Sequence, residues 1–225
     1  MILNGKMLMK RHYFFLFAGL ILFCANANAK EPKPLTQEQE RILEKIEKYF
    51  NGIKSMQSDF VQSSTSGAFT QGTVSISKPN KMRLTYQPPT PVEIVADGEY
   101  LIFHDKKLGQ VTHMDLDSNP AAFMLEENFT FKNSGLTVSE VTNEKGTIEV
   151  SVYKSEEPLN GRVRLIFRRN PFELKQWQVT DAQQIKTTVS LSNTKLNETL
   201  DDSLFVFKKP EKKSRPGDKG FRNRR

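Results

Sequence analysis

The chain has 225 residues, 37% of them hydrophobic, a formal net charge of +7 and a single cysteine, a size suited to one domain with a substantial core. The positive charge sits at the ends: residues 1–29 carry +3 and residues 208–225 carry nine Lys/Arg against two acids, which leaves −3 for residues 30–207. A mildly acidic body lacks the basic stripe of a nucleic-acid-binding fold, and with Cys24 as the only cysteine the body has no disulfide or thiol chemistry.

Residues 1–29 read as a secretory signal peptide. Lys6, Lys10 and Arg11 precede an apolar run from Tyr13 to Cys24, and Ala27-Asn28-Ala29 supplies a small-x-small cleavage site. The run is short for a membrane span. Bulky Leu22 and Phe23 stand before Cys24, where a lipoprotein signal would place small residues. Cleavage after Ala29 is expected, leaving 196 of the 225 residues in an oxidising compartment.

Thr36-Gln37-Glu38-Gln39 has the form of a capping box, and Ile42, Leu43, Ile46, Tyr49, Phe50 and Ile53 follow at helical spacing up to a stop at Gly52. Strands are then expected at Met56–Gln62 and Phe69–Ser77, where Val74 and Ile76 share a face and Gly72 marks a bulge or tight bend. In Lys81–Tyr86, Met82, Leu84 and Tyr86 alternate with Arg83 and Thr85, the pattern of a half-buried strand. Pro88, Pro89 and Pro91 close it, because proline cannot donate to a sheet ladder. Val92–Ala96 and Tyr100–His104 flank Asp97-Gly98, a type I′ hairpin signal. Lys106–Gly109 then turns the chain into a strand at Gln110–Met114.

The middle breaks the β pattern. Ser118-Asn119-Pro120 can open a helix, and Ala121–Leu125 is a short apolar cluster that depends on docking because so few turns are unstable alone. Strands resume at Leu136–Thr142, Thr147–Tyr153, Arg162–Arg168, Lys175–Thr180, Ile185–Ser192 and Leu204–Phe207. Two helices and ten or eleven short strands predict a mainly β (α+β) domain over residues 30–207, built on a single curved antiparallel sheet. From Lys208 the composition is that of a basic, disordered tail.

The body carries two histidines, His104 and His113, each near an aspartate, Asp105 and Asp115. Adjacent strand residues point to opposite faces, so His104 and Asp105 cannot converge. No further metal ligand has recognisable spacing, and no nucleophile elbow, phosphate loop or dinucleotide fingerprint occurs. Both histidines read as solvated side chains near turns, the metal reading fails, and the expectation is a protein that is not an enzyme. What the chain supplies instead is apolar surface, with 16 Phe and 7 Met. Methionine adapts to irregular apolar partners. By composition such surface serves an ordinary core as well as a cavity.

The order of elements adds a resemblance. Phe60-Val61-Gln62 after the first helix, Gly72-x-x-Ser75-Ile76, Lys78-Pro79-Asn80-Lys81-Met82-Arg83, Val95-Ala96-Asp97-Gly98-x-x-Leu101, Asp105, Gln110-Val111-Thr112, Pro120–Leu125, Trp177 and Leu204–Phe207 together resemble the LolA family of periplasmic outer-membrane lipoprotein carriers. The resemblance covers roughly residues 35–210. It implies a half-barrel with helices across its concave face around a hydrophobic cavity. It also implies a non-catalytic, monomeric carrier that takes acylated lipoproteins from an inner-membrane ATP-driven release complex and passes them to an outer-membrane receptor. On this reading Phe60, Met82, Leu84, Tyr86, Ile94 and Phe103 line the cavity, and Phe123, Met124 and Leu125 form a lid. Lys78 stands where many members carry an arginine that latches the lid, and lysine lacks arginine's planar bidentate contacts. A periplasmic regulator that senses lipid or a partner through the same half-barrel, without transport, is the alternative. Strand register decides which face these residues occupy, since a slip of one residue turns them all outward.

Overall fold

The structure, a computed structural model, describes residues 34–209; the predicted signal segment and almost all of the basic tail lie outside them. Helix α1 spans Gln37–Asn51 and begins as its sequence requires. The Thr36 hydroxyl accepts from the Gln39 backbone N–H, and the Gln39 side chain accepts from the Thr36 N–H at 2.9 Å, satisfying donors that a helix start leaves unpaired. Ile42, Leu43, Ile46 and Phe50 form its buried stripe.

Eleven strands follow: β1 Ser55–Ser64, β2 Phe69–Ser77, β3 Lys81–Tyr86, β4 Val92–Asp97, β5 Tyr100–Asp105, β6 Gln110–Asp115, β7 Leu136–Glu144, β8 Thr147–Lys154, β9 Gly161–Arg168, β10 Glu173–Asp181 and β11 Lys186–Leu196. They form one open antiparallel sheet in the order β6-β5-β4-β3-β2-β1-β11-β10-β9-β8-β7. Two meanders are thus joined at the centre, where β1 pairs with β11. Because β6 and β7 are the opposite edges, the chain between them, residues 116–135, has to cross a face of the sheet. The same face carries α1: Tyr49 and Phe50 meet Phe167 of β9 edge-on at 5.5 and 6.0 Å. We call it the inner face.

Several local expectations are corrected. The crossing segment contains no second α-helix but 3₁₀ turns at Leu116–Ser118 and Ala122–Leu125. Its amides bond three residues back, as in Met124 N–H to Ala121 O at 3.2 Å, because an apolar run this short ends before an α-helical turn can repeat. Leu204–Phe207 is not a strand. It lies over β3 and β4, internal strands whose ladders are both filled, and the Asp201 side chain caps a 3₁₀ turn at Asp202–Phe205. The β4–β5 turn centres on Gly98-Glu99 rather than Asp97-Gly98: the Asp97 side chain accepts from the Glu99 and Tyr100 amides at 3.1 and 2.9 Å, and Gly98 takes φ +116°, a conformation open to glycine alone at no steric cost.

Gly72 is no bulge. It stays in register with both Phe60 and Tyr86, and a Cβ there would lie 2.1 Å from the Thr85 carbonyl oxygen. Glycine is needed for close backbone approach. The register shifts fall elsewhere, between Gln57 and Asp59 on β1, Leu174 and Gln176 on β10, and Val138 and Glu140 on β7.

The outer face is not bare. The 3₁₀ turn at Asp202–Phe205 lies over β3 and β4, with Phe205, Val95 and Ile102 all buried. Arg83 donates to the Leu204 carbonyl at 2.6 Å and pairs with Glu93, while Lys81 meets Asp202 at 3.2 Å. His104, expected to be solvated, is buried here: its ring meets Phe207 edge-on at 5.5 Å and its Nδ1 lies 3.7 Å from Glu93.

Candidate functional site

Register decides the wall. Across the ladders Phe103 faces Ile94, Ile94 faces Leu84, and Leu84 faces Val74. The adjacent rows are Leu101–Ala96–Met82–Ile76 and Tyr86–Gly72–Phe60. Directly opposed residues share a face, as do residues two apart on a strand. Phe60, Met82, Leu84, Tyr86, Ile94 and Phe103 therefore all lie on one face, the inner one.

The structure does not bring all of them to one cavity. Met82, Leu84, Tyr86 and Ile94 line an apolar pocket of about 150 Å³. Ala121, Ala122, Met124 and Leu125 of the crossing segment close it from above, and Trp177, Val179 and Val189 of the second meander close its far side. Phe60 sits behind Tyr86, ring to ring at 5.2 Å. Phe103 lies outside the pocket, half-buried toward the β6 edge. Phe123 also points elsewhere. It packs between Phe50 at 6.3 Å and Phe129 at 5.1 Å, in the aromatic seam that holds the crossing segment against α1.

Polar groups are sparse and placed toward one end. The Tyr86 hydroxyl donates to Gln62 Oε1 at 2.9 Å, and burial pushes the Tyr86 phenol above its usual range. Asn119 and Thr187 complete the polar lining. A smaller void of about 20 Å³ lies below, lined by Phe50, Ile53, Met56 and Lys78, and it shares Ile76, Met124 and Trp177 with the main pocket. Those shared side chains are the partition between the two.

Among the described residues, the hydrogen bond of the Lys78 ammonium goes to α1 rather than to the crossing segment. Its Nζ donates to the Phe50 carbonyl at 2.9 Å, at the end of α1. Burial lowers its pKa to about 8, against the opposing pull of Glu126. The tie to the crossing segment comes from the same turn but through backbone: the Asn80 amide donates to the Leu125 carbonyl at 2.9 Å. Further along, Asn51 brackets Phe129, accepting from its amide at 2.8 Å and donating to its carbonyl at 2.9 Å, and Glu47 accepts from the Phe131 amide at 2.8 Å.

Trp177, Val179, Thr187 and Val189 were not among the residues that sequence reasoning placed at the site. Their alternation on β10 and β11 was legible; that these strands face β3 and β4 across the sheet was not. Larger clefts of about 850 and 320 Å³ lie on the outer face, lined by groups such as Lys81, Asp97 and Asp202 or Glu140, Arg162 and Arg164. We place the site at the smaller inner pocket because its walls are apolar and come from three separate parts of the chain.

Residues 51–208 match the family model of the outer membrane lipoprotein carrier protein LolA. The chain belongs to the LolA family. An outer-membrane lipoprotein carrier protein of Nitrosomonas europaea is 29% identical over 175 residues, covering 74% of this chain and 84% of its own length. One from Chromobacterium violaceum is 26% identical over 180 residues, covering 77% and 86%. An uncharacterized protein of Rickettsia prowazekii is 28% identical over 169 residues, covering 75% and 78%. Among solved structures, a LolA superfamily protein from Nitrosomonas europaea aligns with a TM-score of 0.43 at 12% identity, covering 75% of this chain and 97% of its own. Among the described residues the fold is one large open antiparallel sheet with one α-helix.

Proposed function

We propose that this protein is a periplasmic carrier that shields the acyl chains of lipoproteins in transit from the inner to the outer membrane, and that it acts by binding rather than by catalysis. The observation that carries the reading is the apolar pocket closed by the crossing segment: sheet residues Met82, Leu84, Tyr86 and Ile94 face Met124 and Leu125 with few polar groups between them. Membership of the LolA family, and relatives named as outer-membrane lipoprotein carriers, support the cargo class. Release from an inner-membrane ATP-driven complex and delivery to an outer-membrane receptor follow from that reading, as do the cleaved signal peptide and a half-barrel shape with the pocket on its concave side.

At about 150 Å³ the pocket is below the ~300–1,000 Å³ typical of ligand sites, so it has to widen to take an acyl chain. Loading then requires the crossing segment to lift. Met124 and Leu125 are the residues suited to this, with Phe123 anchored against Phe50 and Phe129, because Met124 is part of the partition to the void beneath and the backbone tie at Leu125 is a single hydrogen bond from Asn80. A lid that favours closure also explains how a carrier with no energy source can unload. Each buried methylene contributes about 0.8 kcal/mol, and a lid that is open only part of the time lowers the apparent affinity by that fraction.

Mass spectrometry of the protein purified gently from its periplasm is the test. Co-purified acylated peptide is the expected result. Protein recovered without acylated peptide, together with failure to bind a fluorescent fatty acid, would dispose of the carrier reading.

A further inference from the structure

The C-terminal segment lies on the outer face without filling it. Beside it runs the cleft of about 850 Å³, walled by β3, β5, β6, the β4–β5 turn and the segment itself. Ile102, Phe205, Val206 and Phe207 are its apolar lining, and Val206 stands in it 56% exposed. Its charged lining, among the described residues, is Asp97, Glu99 and Asp202 against Lys81, and Lys81 is taken by Asp202 at 3.2 Å. Asp115 adds a carboxylate beside it, paired across the ladder with Tyr100. The amides bonded to Asp97 are neutral donors and leave its charge in place. Hydrogen bonding to Glu99, together with the charges of Glu99, Asp115 and Asp97, holds the Tyr100 phenol above its usual range, so the potential here is negative. Arg83 and Lys106 are turned to Glu93 beneath the segment. With Asp201, Lys208 and Lys209 of the flanking chain counted in, Asp97, Glu99, Asp115, Asp202 and Lys81 still leave this corner at −2.

The described chain ends at the same cleft. Phe207 lines it and meets the His113 ring edge-on at 6.4 Å, and Lys208 and Lys209 beyond are exposed. Residues 210–225 follow, with seven Lys/Arg against Glu211 and Asp218 and with one aromatic, Phe221, flanked by Lys219 and Arg222. We infer that residues 210–225 dock back into this outer-face cleft, with Phe221 against Val206 and Phe207 and the basic side chains against Asp97, Glu99 and Asp115. The inference stands apart from the carrier reading, because the cleft and the apolar pocket lie on opposite faces of the sheet. The tether is long enough. Phe221 is 12 residues past Lys209, a reach of about 40 Å when extended, so the chain can leave the edge of the sheet and return. Tethering over so short a linker gives an effective concentration on the order of 1 mM. A contact too weak to hold a separate basic peptide is therefore populated within the chain, where a net +5 on residues 210–225 faces the acidic corner.

The test compares backbone amide NMR spectra of the full chain and of the same chain ended at Lys209, at low salt. The expected result is a set of shift differences at Asp97–Tyr100 and His113, sites remote in sequence from the new terminus. These differences should be lost in about 1 M NaCl, where the Debye length is about 3 Å. Full-length Phe221→Ser and a full-length Glu99→Lys, Asp115→Lys variant should each move the same amides toward their positions in the shortened chain, and they carry the test should the shortened chain fail to fold. Identical spectra at these sites would overturn the inference, as would differences confined to other parts of the sheet. Differences that grow with protein concentration would assign the tail to a second copy and also overturn it. Fluorescent fatty-acid binding should be the same in every chain. Its loss on shortening would place the tail at the inner pocket instead, whereas failure of all chains to bind fatty acid would count against the carrier reading alone.

Discussion

Lys78 Nζ donates to the Phe50 carbonyl at 2.9 Å, which ties the β2–β3 turn to the last turn of α1. The ammonium offsets carbonyl charge at a helix end but is largely cut off from water, and this burial is the main reason its pKa falls from 10.5 to about 8. Because the folded value lies below the unfolded one, the unfolded chain binds more protons between the two. The burden on stability is therefore full below about pH 8 and fades as pH rises toward 10.5. Replacing Lys78 with Met removes that titration. Denaturation at a series of pH values should show the wild type gaining on Lys78→Met from about pH 8 upward; a difference that stays flat to pH 10 would contradict the buried, charged lysine.

Met82 lines the pocket without being deeply buried, so a larger side chain there can fill the space. Met82→Trp should weaken fluorescent fatty-acid binding by at least ~10-fold, with an overpacking cost of about 1–3 kcal/mol in urea unfolding. Binding at wild-type strength would place the acyl chains elsewhere. Phe123 is a poor choice for the same purpose. It is 3% exposed and wedged between Phe50 and Phe129, so Phe123→Ala should cost about 3–5 kcal/mol and confuse unfolding with lost binding.

Gly72 has space for no side chain. A methyl group there would meet the Thr85 carbonyl oxygen at 2.1 Å and the Phe60 ring at 3.0 Å, so Gly72→Ala must push β2 and β3 apart. Loss of about 1–3 kcal/mol or more is expected from denaturant titration. A neutral effect would mean that the ladder is wider here than its register indicates.

Asn51 satisfies both backbone groups of Phe129, and Phe129 is fully buried. Asn51→Ala leaves a buried donor and acceptor without partners, which costs about 1–3 kcal/mol for each group. Hydrogen exchange should quicken at the Phe129 amide more than in β1 or β11. If exchange quickens equally everywhere, Asn51 supports the whole fold rather than the crossing segment.

Local chemistry made several elements legible. The capping box at Thr36 and Gln39, the alternation of Met82, Leu84 and Tyr86, and the prolines after Tyr86 each express a constraint spanning a few residues, and each element lies where those constraints put it. Elements whose form depends on distant neighbours were misread. Leu204–Phe207 has the composition of a strand, but it packs across β3 and β4, whose ladders are already filled by their neighbours in the sheet. His104 reads as a turn-proximal polar residue, yet Phe207, more than a hundred positions later, covers it.

The sequence by itself determined the helix, the strands of both meanders and the period that groups Phe60, Met82, Leu84, Tyr86, Ile94 and Phe103, because backbone hydrogen bonding and side-chain alternation are set by near neighbours. Only the tertiary structure decided which of these residues share a pocket. That depended on the pairing of β1 with β11, which turns Trp177 and Val189 toward Met82 and Leu84, and on the passage of residues 116–135 from one sheet edge to the other, which brings Met124 and Leu125 over them. Contacts between residues so far apart in the chain arise from burying apolar surface in three dimensions, and no local pattern records their partners.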